Sequence, residues 1–294
     1  MLGEKALEME KRLRFIKEKR KHSSLSEMRE FQKNRAITLP PDAKKEVFNV
    51  ADVEVEKITL PNSKEESALI YIHGGGFRNG FASNGYWLCM EIAKVTGQTI
   101  YGINYRLAPE YTYPVAFMDS LSVWRSLMRN GVKPELSTFI GTSAGATIAL
   151  SVSLYARDHG IPLPSSIVLS SPYVGRGIIP TEHEIENDAI LDWNGEEDNP
   201  YFSTADYDDP YAYPILGDYF LFPKIKLFAS EKEILKGHSD KLAEVFERDK
   251  VDYSYSVDKD LWHAFLNADV PENMKYVEET IGFIISSFSE NKEK

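Results

Sequence analysis

The residues most able to do chemistry lie in the run F-I-G-T-S-A-G-A-T-I-A, from Phe139 to Ala149. A strand-like run, Leu136 to Ile140, leads into it, and small apolar residues typical of a helix follow. A G-x-S-x-G turn between a strand and a helix holds the serine oxygen clear of the backbone, at the carboxyl edge of a sheet. A side chain at Gly141 or Gly145 would collide where the strand folds back against its own helix. The pattern predicts that Ser143 is a nucleophile; the alternative is an ordinary Gly-Ser turn before a helix.

A serine hydroxyl needs a base to take its proton, and the base needs a third group to orient it. Where a serine lies at such a turn between a strand and a helix, the acid and then the histidine follow it along the chain. The histidines after Ser143 are His159, His183, His238 and His263. We expect His263 to be the base, because it lies in a short loop between the last predicted strand and the last predicted helix. The others are predicted at the far edge of the sheet, in an irregular segment and at the start of a helix. The alternative for His263 is a surface loop histidine.

His263 follows the strand predicted at 253–257. The acid should lie at the end of the strand before that one, which is predicted at 225–229. Candidates are Glu231 and Glu233 and, less well placed, Asp240 and Asp258. We favour Glu233, which would accept the second N–H of the histidine and stabilise the imidazolium that forms during attack. The alternative is an exposed loop carboxylate.

A second motif, H-G-G-G-F from His73 to Phe77, directly follows a short apolar run. Its backbone is nearly free of side chains and can approach a reacting carbonyl closely. Its N–H groups, with that of Ala144, can form an oxyanion hole; the alternative is a flexible glycine turn. We expect His73 to brace the loop and not to act as a base. No clustered His or Cys spacing indicates a metal site, and we predict no cofactor.

The composition restricts the class of protein and its partners. Of the 294 residues, 43% are hydrophobic and 12% aromatic, which is typical of a globular protein with a sizeable core. The formal net charge of -11 argues against nucleic acid as a partner, because phosphate would be repelled. Cys89 is the single cysteine, so an intrachain disulfide cannot form. The expected partner is a small molecule.

Two further features bear on localisation. The N-terminus has no signal-peptide pattern, since charges begin at Glu4 and Lys5 and no continuous apolar segment follows. No stretch approaches the roughly 20 apolar residues of a membrane span. We therefore expect a cytoplasmic protein without a membrane partner.

Strand patterns alternate with helical patterns through most of the chain. Strands are predicted at 50–60 (one or two strands), 68–72, 98–103, 136–140, 166–169, 225–229 and 253–257. Helices are predicted at 84–96, 114–129, after the serine as far as about 160, 239–248 and 271–288. This alternation predicts an α/β fold with a mostly parallel sheet and helices on both faces.

Two segments interrupt that alternation. Residues 1 to about 45 are dense in charge, with predicted helices at 4–20 and 24–34. Residues 175–218 show no clear periodicity and connect two strands, where so long a connection is usually functional. We expect the two segments to form a cap over the active edge. The alternatives are a membrane-surface helix for the first segment and an insertion without a role for the second.

From about Tyr71 to Phe265 the sequence resembles the hormone-sensitive-lipase-like family of α/β-hydrolases. Besides the serine turn and the H-G-G-G-F loop, the run Y-R-L-A-P-E at 105–110 matches a family stretch. The resemblance implies an α/β-hydrolase fold with a mostly parallel eight-stranded sheet and helices on both faces. It implies one domain over 1–294, with a helical cap from 1–45 and 175–218. It also implies serine carboxylesterase activity on short acyl or acetyl esters, with an oxyanion hole formed by Gly75, Gly76 and Ala144.

Several positions depart from the family pattern. Thr142 and Asn104 stand where many members have Asp, Ala146 where many have Gly, and Glu233 where most have Asp; the loop of His263 reads H-A-F instead of H-G-F. The departures leave the substrate class open. The alternatives are a deacetylase or amidase acting on a specific small metabolite and a non-catalytic ligand receptor on the same fold. The presence of His263 counts against the receptor. A homodimer through the last helix or strand stays possible.

Overall fold

The computed structural model describes residues 2–34, 38–193 and 199–290. Within them, eight strands form one sheet in the order β1-β2-β4-β3-β5-β6-β7-β8. The strands are Lys44–Val50 (β1), Val53–Thr59 (β2), Lys64–Ile72 (β3), Gln98–Asn104 (β4), Ser137–Thr142 (β5), Ser166–Ser170 (β6), Lys224–Ser230 (β7) and Tyr253–Asp258 (β8). The pairs β1–β2 and β2–β4 are antiparallel, and the pairs from β4 to β8 are parallel.

Helices cover both faces of this sheet, which confirms the predicted α/β-hydrolase fold. They are Glu4–Arg20 (α1), Leu25–Lys33 (α2), Tyr86–Thr96 (α3), Val115–Arg129 (α4), Ala144–Asp158 (α5), Glu182–Asn187 (α6), Lys236–Arg248 (α7) and Met274–Glu290 (α8). Two hydrophobic clusters fill the layers, one on each side of the sheet.

The prediction for residues 50–60 missed most of one strand. The structure contains a hairpin in which β1 pairs along its whole length with β2, for example Lys44 with Thr59 and Val50 with Val53. β1 forms the edge of the sheet and its side chains are mostly exposed. Only Phe48 and Val50 pack partly against the core, whereas the first four residues of this edge strand are exposed. Exposed edge residues need no apolar alternation, so K-K-E-V carries little strand signal.

The first helices and the 175–218 segment lie against each other. From α1, Arg14 and Lys17 donate to the carbonyl oxygens of Asn187 and Asp188, at 3.0 and 2.8 Å. α2 begins at a capping box between Ser24 and Glu27. Residues 1, 35–37 and 194–198, which belong to the two predicted cap segments, lie outside the described residues. No described helix is long and apolar enough to cross a membrane.

Candidate active site

Ser143 lies at the sharp turn between β5 and α5. Its backbone has φ 54° and ψ -122°, in a region that residues with a side chain rarely adopt. Such strain costs on the order of 1–3 kcal/mol and persists only where the surroundings impose it. Here the Ser143 N–H donates to the Ser170 carbonyl at the end of β6, at 2.8 Å, and holds the turn in place. The strained turn is the geometry of a nucleophile elbow.

The two glycines of the elbow are required for different reasons. A Cβ at Gly141 would lie 2.5 Å from the Cα of Ala146, where the strand meets its own helix as predicted. A Cβ at Gly145 would lie 2.0 Å from the carbonyl oxygen of Ile72, at the end of β3. The nearest atoms to that Cβ belong to β3 and His73, so Gly145 allows close approach of the neighbouring strand, a contact that the sequence did not predict.

His263 and Glu233 form a buried pair at the carboxyl edge of the sheet. The Nδ1 of His263 donates to Oε2 of Glu233 at 2.6 Å, and the two residues are 3% and 0% exposed. The other carboxylate oxygen accepts the Ser230 N–H at 2.9 Å, which fixes its orientation. Burial lowers the pKa of His263, but the hydrogen bond and the charge of Glu233 outweigh burial, so the pKa lies above its ordinary value.

The other candidate acids serve elsewhere. Asp240 pairs with Lys236 at 2.7 Å on the surface of α7. Asp258 accepts two N–H groups of the loop that precedes His263 and the hydroxyl of Tyr276. Glu231 is exposed. Among the described residues, Glu233 is the candidate whose carboxylate bonds to His263.

The loop of His263 accommodates the H-A-F departure at a small cost. Ala264 has φ 58° and ψ 31°, the left-handed conformation that glycine adopts without a steric penalty. Its N–H donates to the hydroxyl of Ser171 at 2.9 Å. Ser230 donates from the end of β7 to the carbonyl of Leu261 at 2.6 Å. These bonds from two strand ends hold the loop against the sheet edge.

The H-G-G-G-F loop packs directly on the elbow. A Cβ at Gly74 would lie 2.8 Å from the Thr142 carbonyl oxygen and 3.1 Å from the Ser143 Cβ. Gly75 and Gly76 have φ values of 118° and 60°. Within the described residues, the N–H groups of Gly75, Gly76 and Ala144 have no protein acceptor. Three unused donors beside the serine can stabilise an oxyanion.

We expect Gly75→Ala to lower kcat by roughly 10²–10³-fold, the effect of losing one oxyanion donor. Its Cβ would lie 1.9 Å from the Asn79 carbonyl oxygen, so the loop must move. Gly131→Ala is the matched control, because Gly131 also has a positive φ, 95°, but nothing within 4 Å of its added Cβ. Steady-state kinetics and thermal melting of both variants test this expectation. Wild-type kcat in folded Gly75→Ala would contradict it.

His73 braces this loop. Its Nδ1 donates to the Gly74 carbonyl at 2.7 Å, and its own carbonyl accepts the Tyr105 hydroxyl at 2.8 Å. The two rings stack with centroids 4.2 Å apart. Burial lowers the pKa of His73 to about 4, so the ring is neutral near pH 7. The side chain fits the predicted bracing role.

Arg29 joins α2 to the same loop and to the Y-R-L-A-P-E stretch. Its guanidinium donates to the carbonyls of Arg78 and Ala108 at 2.8 and 2.7 Å, and to the carboxylate of Glu110 at 2.7 and 2.8 Å. The hydrogen bond from Arg29 lowers the pKa of Glu110 to about 2. Helix α2 is therefore attached to the backbone directly after the H-G-G-G-F loop.

Two cavities meet at Ser143, and both include Gly76. The apolar cavity, of about 190 Å³, is lined by Phe77, Tyr173, Ile178, Trp193, Phe202 and Leu235, among others. The polar cavity, of about 310 Å³, includes His263 and is lined by Arg20, Gln32, Arg78, Asn79, Asn84 and Asn267, among others. The serine can thus reach two chemically different compartments.

His238 lines the apolar cavity, although the sequence did not assign it to the site. Its Nδ1 accepts the Val174 N–H at 3.2 Å, so the proton of the neutral ring is on Nε2. Burial lowers the pKa of His238 to about 4, which keeps the ring neutral near pH 7. The one signal for this placement was its position shortly after β7, whose carboxyl end faces the site.

The chain is similar to known proteins in both sequence and structure. The family model described as alpha/beta hydrolase fold matches residues 69–267. A putative acetyl-hydrolase, LipR of Mycobacterium tuberculosis, is 27% identical over 220 residues, which are 74% of this chain and 71% of that protein.

Solved structures are similar over nearly the whole chain. An esterase/lipase from an uncultured bacterium superposes with a TM-score of 0.86 at 25% identity, over 98% of this chain and 99% of that one. An esterase from the bacterial hormone-sensitive lipase family has the same fold, with a TM-score of 0.84 at 22% identity over 95% and 98% of the two chains. These similarities agree with the family resemblance inferred from the sequence.

Proposed function

The chain belongs to the alpha/beta hydrolase fold family and is a carboxylic ester hydrolase, and we propose that it cleaves short-chain acyl or acetyl esters through Ser143, His263 and Glu233. The observation that carries the proposal is the buried pair of His263 and Glu233, which lies in the same site as a strained serine and three unused backbone N–H groups. A nucleophile, an oriented base and an oxyanion hole are the parts that acyl transfer requires.

In the proposed mechanism, the Ser143 hydroxyl oxygen attacks the ester carbonyl carbon while Nε2 of His263 takes the hydroxyl proton. The carbonyl oxygen becomes an oxyanion that accepts from the N–H groups of Gly75, Gly76 and Ala144. His263 then donates its proton to the leaving alkoxide, the C–O bond breaks and an acyl-serine remains. Water, deprotonated by the same nitrogen, attacks the acyl-serine, and the acid is released as the proton returns to Ser143.

Glu233 would act through His263 and not on the ester. Its hydrogen bond holds the proton on Nδ1, so Nε2 is the ring nitrogen left for the serine. Its negative charge stabilises the imidazolium that forms during each proton transfer. This role agrees with its complete burial, which keeps the carboxylate and the ring in one arrangement.

The mechanism assigns one part of the ester to each cavity. The leaving alcohol must lie beside His263, because His263 gives it a proton. His263 lines the polar cavity, so the polar cavity would hold the alcohol and the apolar cavity the acyl group. The apolar volume of about 190 Å³ is below the roughly 300–1,000 Å³ of sites for drug-sized ligands, which favours a short acyl chain.

We expect kcat/KM to fall by at least about tenfold between nitrophenyl butyrate and nitrophenyl octanoate, because additional methylenes would exceed the apolar cavity. Phe202→Ala, which removes a wall of that cavity, should shift the preference toward octanoate. Phe220→Ala is the control, since its ring is 64% exposed and lines neither cavity. Equal hydrolysis of acetate, butyrate, octanoate and palmitate by the wild type would contradict the short-chain assignment.

Residues 1–45 and 175–218 are proposed to form a cap over these cavities. The polar cavity is lined by Arg20, Leu25 and Met28 from the first segment, and the apolar cavity by Ile178 and Phe202 from the second. Side chains from both segments therefore enclose the serine.

Acetylated sugars and amides, assayed beside simple esters, would distinguish the deacetylase and amidase alternatives.

A further inference from the structure

The polar cavity is basic. Two of the side chains that line it are arginines, Arg20 and Arg78, and none of its described lining residues is an aspartate or a glutamate. The other polar lining groups are amides, such as Asn79 and Asn267, the hydroxyls of Tyr71, Thr142 and Ser143, and the imidazole of His263. A cavity with two cations and no lining carboxylate is complementary to an anion, even though the whole chain carries a net charge of -11.

Arg78 is held in place by its backbone, and its side chain has no hydrogen-bond or ion-pair partner among the residues that the structure describes. Its N–H donates to the Gly75 carbonyl at 3.2 Å, and its carbonyl accepts from Arg29 at 2.8 Å. Its Nε is buried and has no hydrogen-bond acceptor within the ranges 2–34, 38–193 and 199–290. Across the described residues, the Arg78 guanidinium makes no hydrogen bond and no ion pair. A buried guanidinium N–H without an acceptor is costly, and at the wall of a cavity it indicates a ligand that supplies the acceptor.

The charge of Arg20 is partly neutralised by neighbouring carboxylates. It is the last residue of α1 and donates to the Ile190 carbonyl at 3.3 Å. Asp188 and Asp192 are close enough to stabilise its charge. Asp188 already accepts three backbone N–H groups, and Asp192 lies 3.4 Å from Lys17. Arg20 is also close enough to His263 to lower the pKa of that ring, which places its charge near the reacting groups.

We propose that the leaving alcohol of the natural ester carries an anionic oxygen group, a carboxylate or a phosphate, which Arg78 binds with support from Arg20. This inference rests on the proposed function, because the mechanism assigns the alcohol to the cavity that contains His263. Arginine is suited to the task, since its planar guanidinium can bond two oxygens of a carboxylate or phosphate at once. The backbone bonds of Arg78 fix it one residue beyond the H-G-G-G-F loop, so the anion would also align the ester with the oxyanion hole.

The test compares three aryl acetates that differ only in one ring substituent. 3-Acetoxybenzoate carries a carboxylate, 3-acetoxyphenyl phosphate carries a phosphate, and methyl 3-acetoxybenzoate is neutral. Wild type should hydrolyse at least one anionic ester with a kcat/KM about tenfold or more above that of the neutral ester, and the better of the two identifies the anion. Raising the salt concentration should reduce this preference.

Arg78→Gln should lower kcat/KM for the preferred anionic ester by about tenfold or more and change that for the neutral ester less than twofold. Arg78→Lys, which keeps the charge, should retain part of the preference, and Arg20→Gln should lose less than Arg78→Gln. Arg12→Gln is the matched control, because it removes one exposed cation from the same helix as Arg20. Melting curves establish that each variant is folded.

The results separate the two proposals. If the neutral ester is cleaved at least as well as both anionic esters, the anion-binding inference is wrong and the esterase mechanism stands. Equal losses on all three esters in folded Arg78→Gln would also overturn the inference, since Arg78 would then support the loop and not the anion. If wild type cleaves none of the three but cleaves other acyl esters, the leaving-group assignment is wrong. If wild type cleaves no ester at all, both the proposed function and the anion-binding inference are wrong.

Discussion

Ser143→Ala is expected to abolish ester hydrolysis, with kcat falling by about 10⁴–10⁶-fold. The variant keeps the elbow backbone and removes the oxygen that would carry the acyl group. The residual rate would come from the oxyanion donors and substrate binding alone, which accelerate hydrolysis far less than the covalent route does. The measurement is release of nitrophenol from nitrophenyl acetate and butyrate, together with the burst that accompanies acyl-enzyme formation in wild type.

Ser153→Ala is the matched control for this variant. Ser153 is also buried and lies on α5, where its hydroxyl donates to the Ala149 carbonyl at 2.8 Å. Its replacement should leave kcat within about twofold of wild type, since it is remote from both cavities. Folded Ser143→Ala with substantial esterase activity would remove the serine from the mechanism.

Glu233→Gln should lower kcat by about 10³–10⁴-fold, comparable to the loss when the triad acid of a serine protease is made an amide. The glutamine fills the same buried volume but cannot neutralise an imidazolium. Its amide N–H₂ can also face the ring, which would favour the tautomer with the proton on Nε2 and no acceptor for the serine proton. Side-by-side kinetics of Glu233→Gln and wild type, with melting temperatures, measure this effect.

The pH profile gives a readout that a packing defect would not produce. In wild type, Glu233 raises the pKa of His263 above the ordinary value near 6.5, so kcat/KM should rise with pH as His263 loses its proton above that value. Without the carboxylate, burial dominates and lowers the pKa. The acid limb of Glu233→Gln should therefore move to lower pH, and an unchanged limb would separate Glu233 from the base.

The same pair affects stability in a definite direction. The raised pKa of His263 contributes stability that is fully present below the unfolded pKa and is lost as pH rises through the folded pKa.

Asp240→Asn is the control for the charge removal in Glu233→Gln, because Asp240 is bonded to Lys236 and Tyr255 and not to the histidine. It should keep wild-type kcat and the wild-type acid limb. A loss in Asp240→Asn without one in Glu233→Gln would move the acid to α7.

Much of the fold and the main candidate residues could be predicted from the sequence, because the relevant constraints are local. The central parallel strands β4 to β7 and most of β3 are buried on both faces, so their apolar runs identify them one by one. The elbow needs glycines two residues before and two residues after Ser143. Because these positions are close to the serine in the chain, the steric requirement is visible in the local sequence. Chain order then restricted the base and the acid to a few loops, and the structure joins His263 to Glu233 in the expected way.

Other features have no local signal. The first four residues of the edge strand β1 are exposed, so nothing in that part of its sequence required alternation. Gly145 is needed because of the end of β3, which lies more than seventy residues earlier in the chain. His238 enters the apolar cavity because α7 packs beside the turn after β6, where Val174 binds its ring.

By itself, the sequence determined the fold class, the strained serine turn and the small set of partners that the serine could have. Only the tertiary structure decided that the serine opens into two cavities, one apolar and one basic. The reason is physical: a cavity is formed by segments that are distant in sequence, and no pattern within one segment records the others. Arg20 comes from helix α1, and Arg78 directly follows the H-G-G-G-F loop. They line one compartment because α1 and α2 pack over the sheet edge.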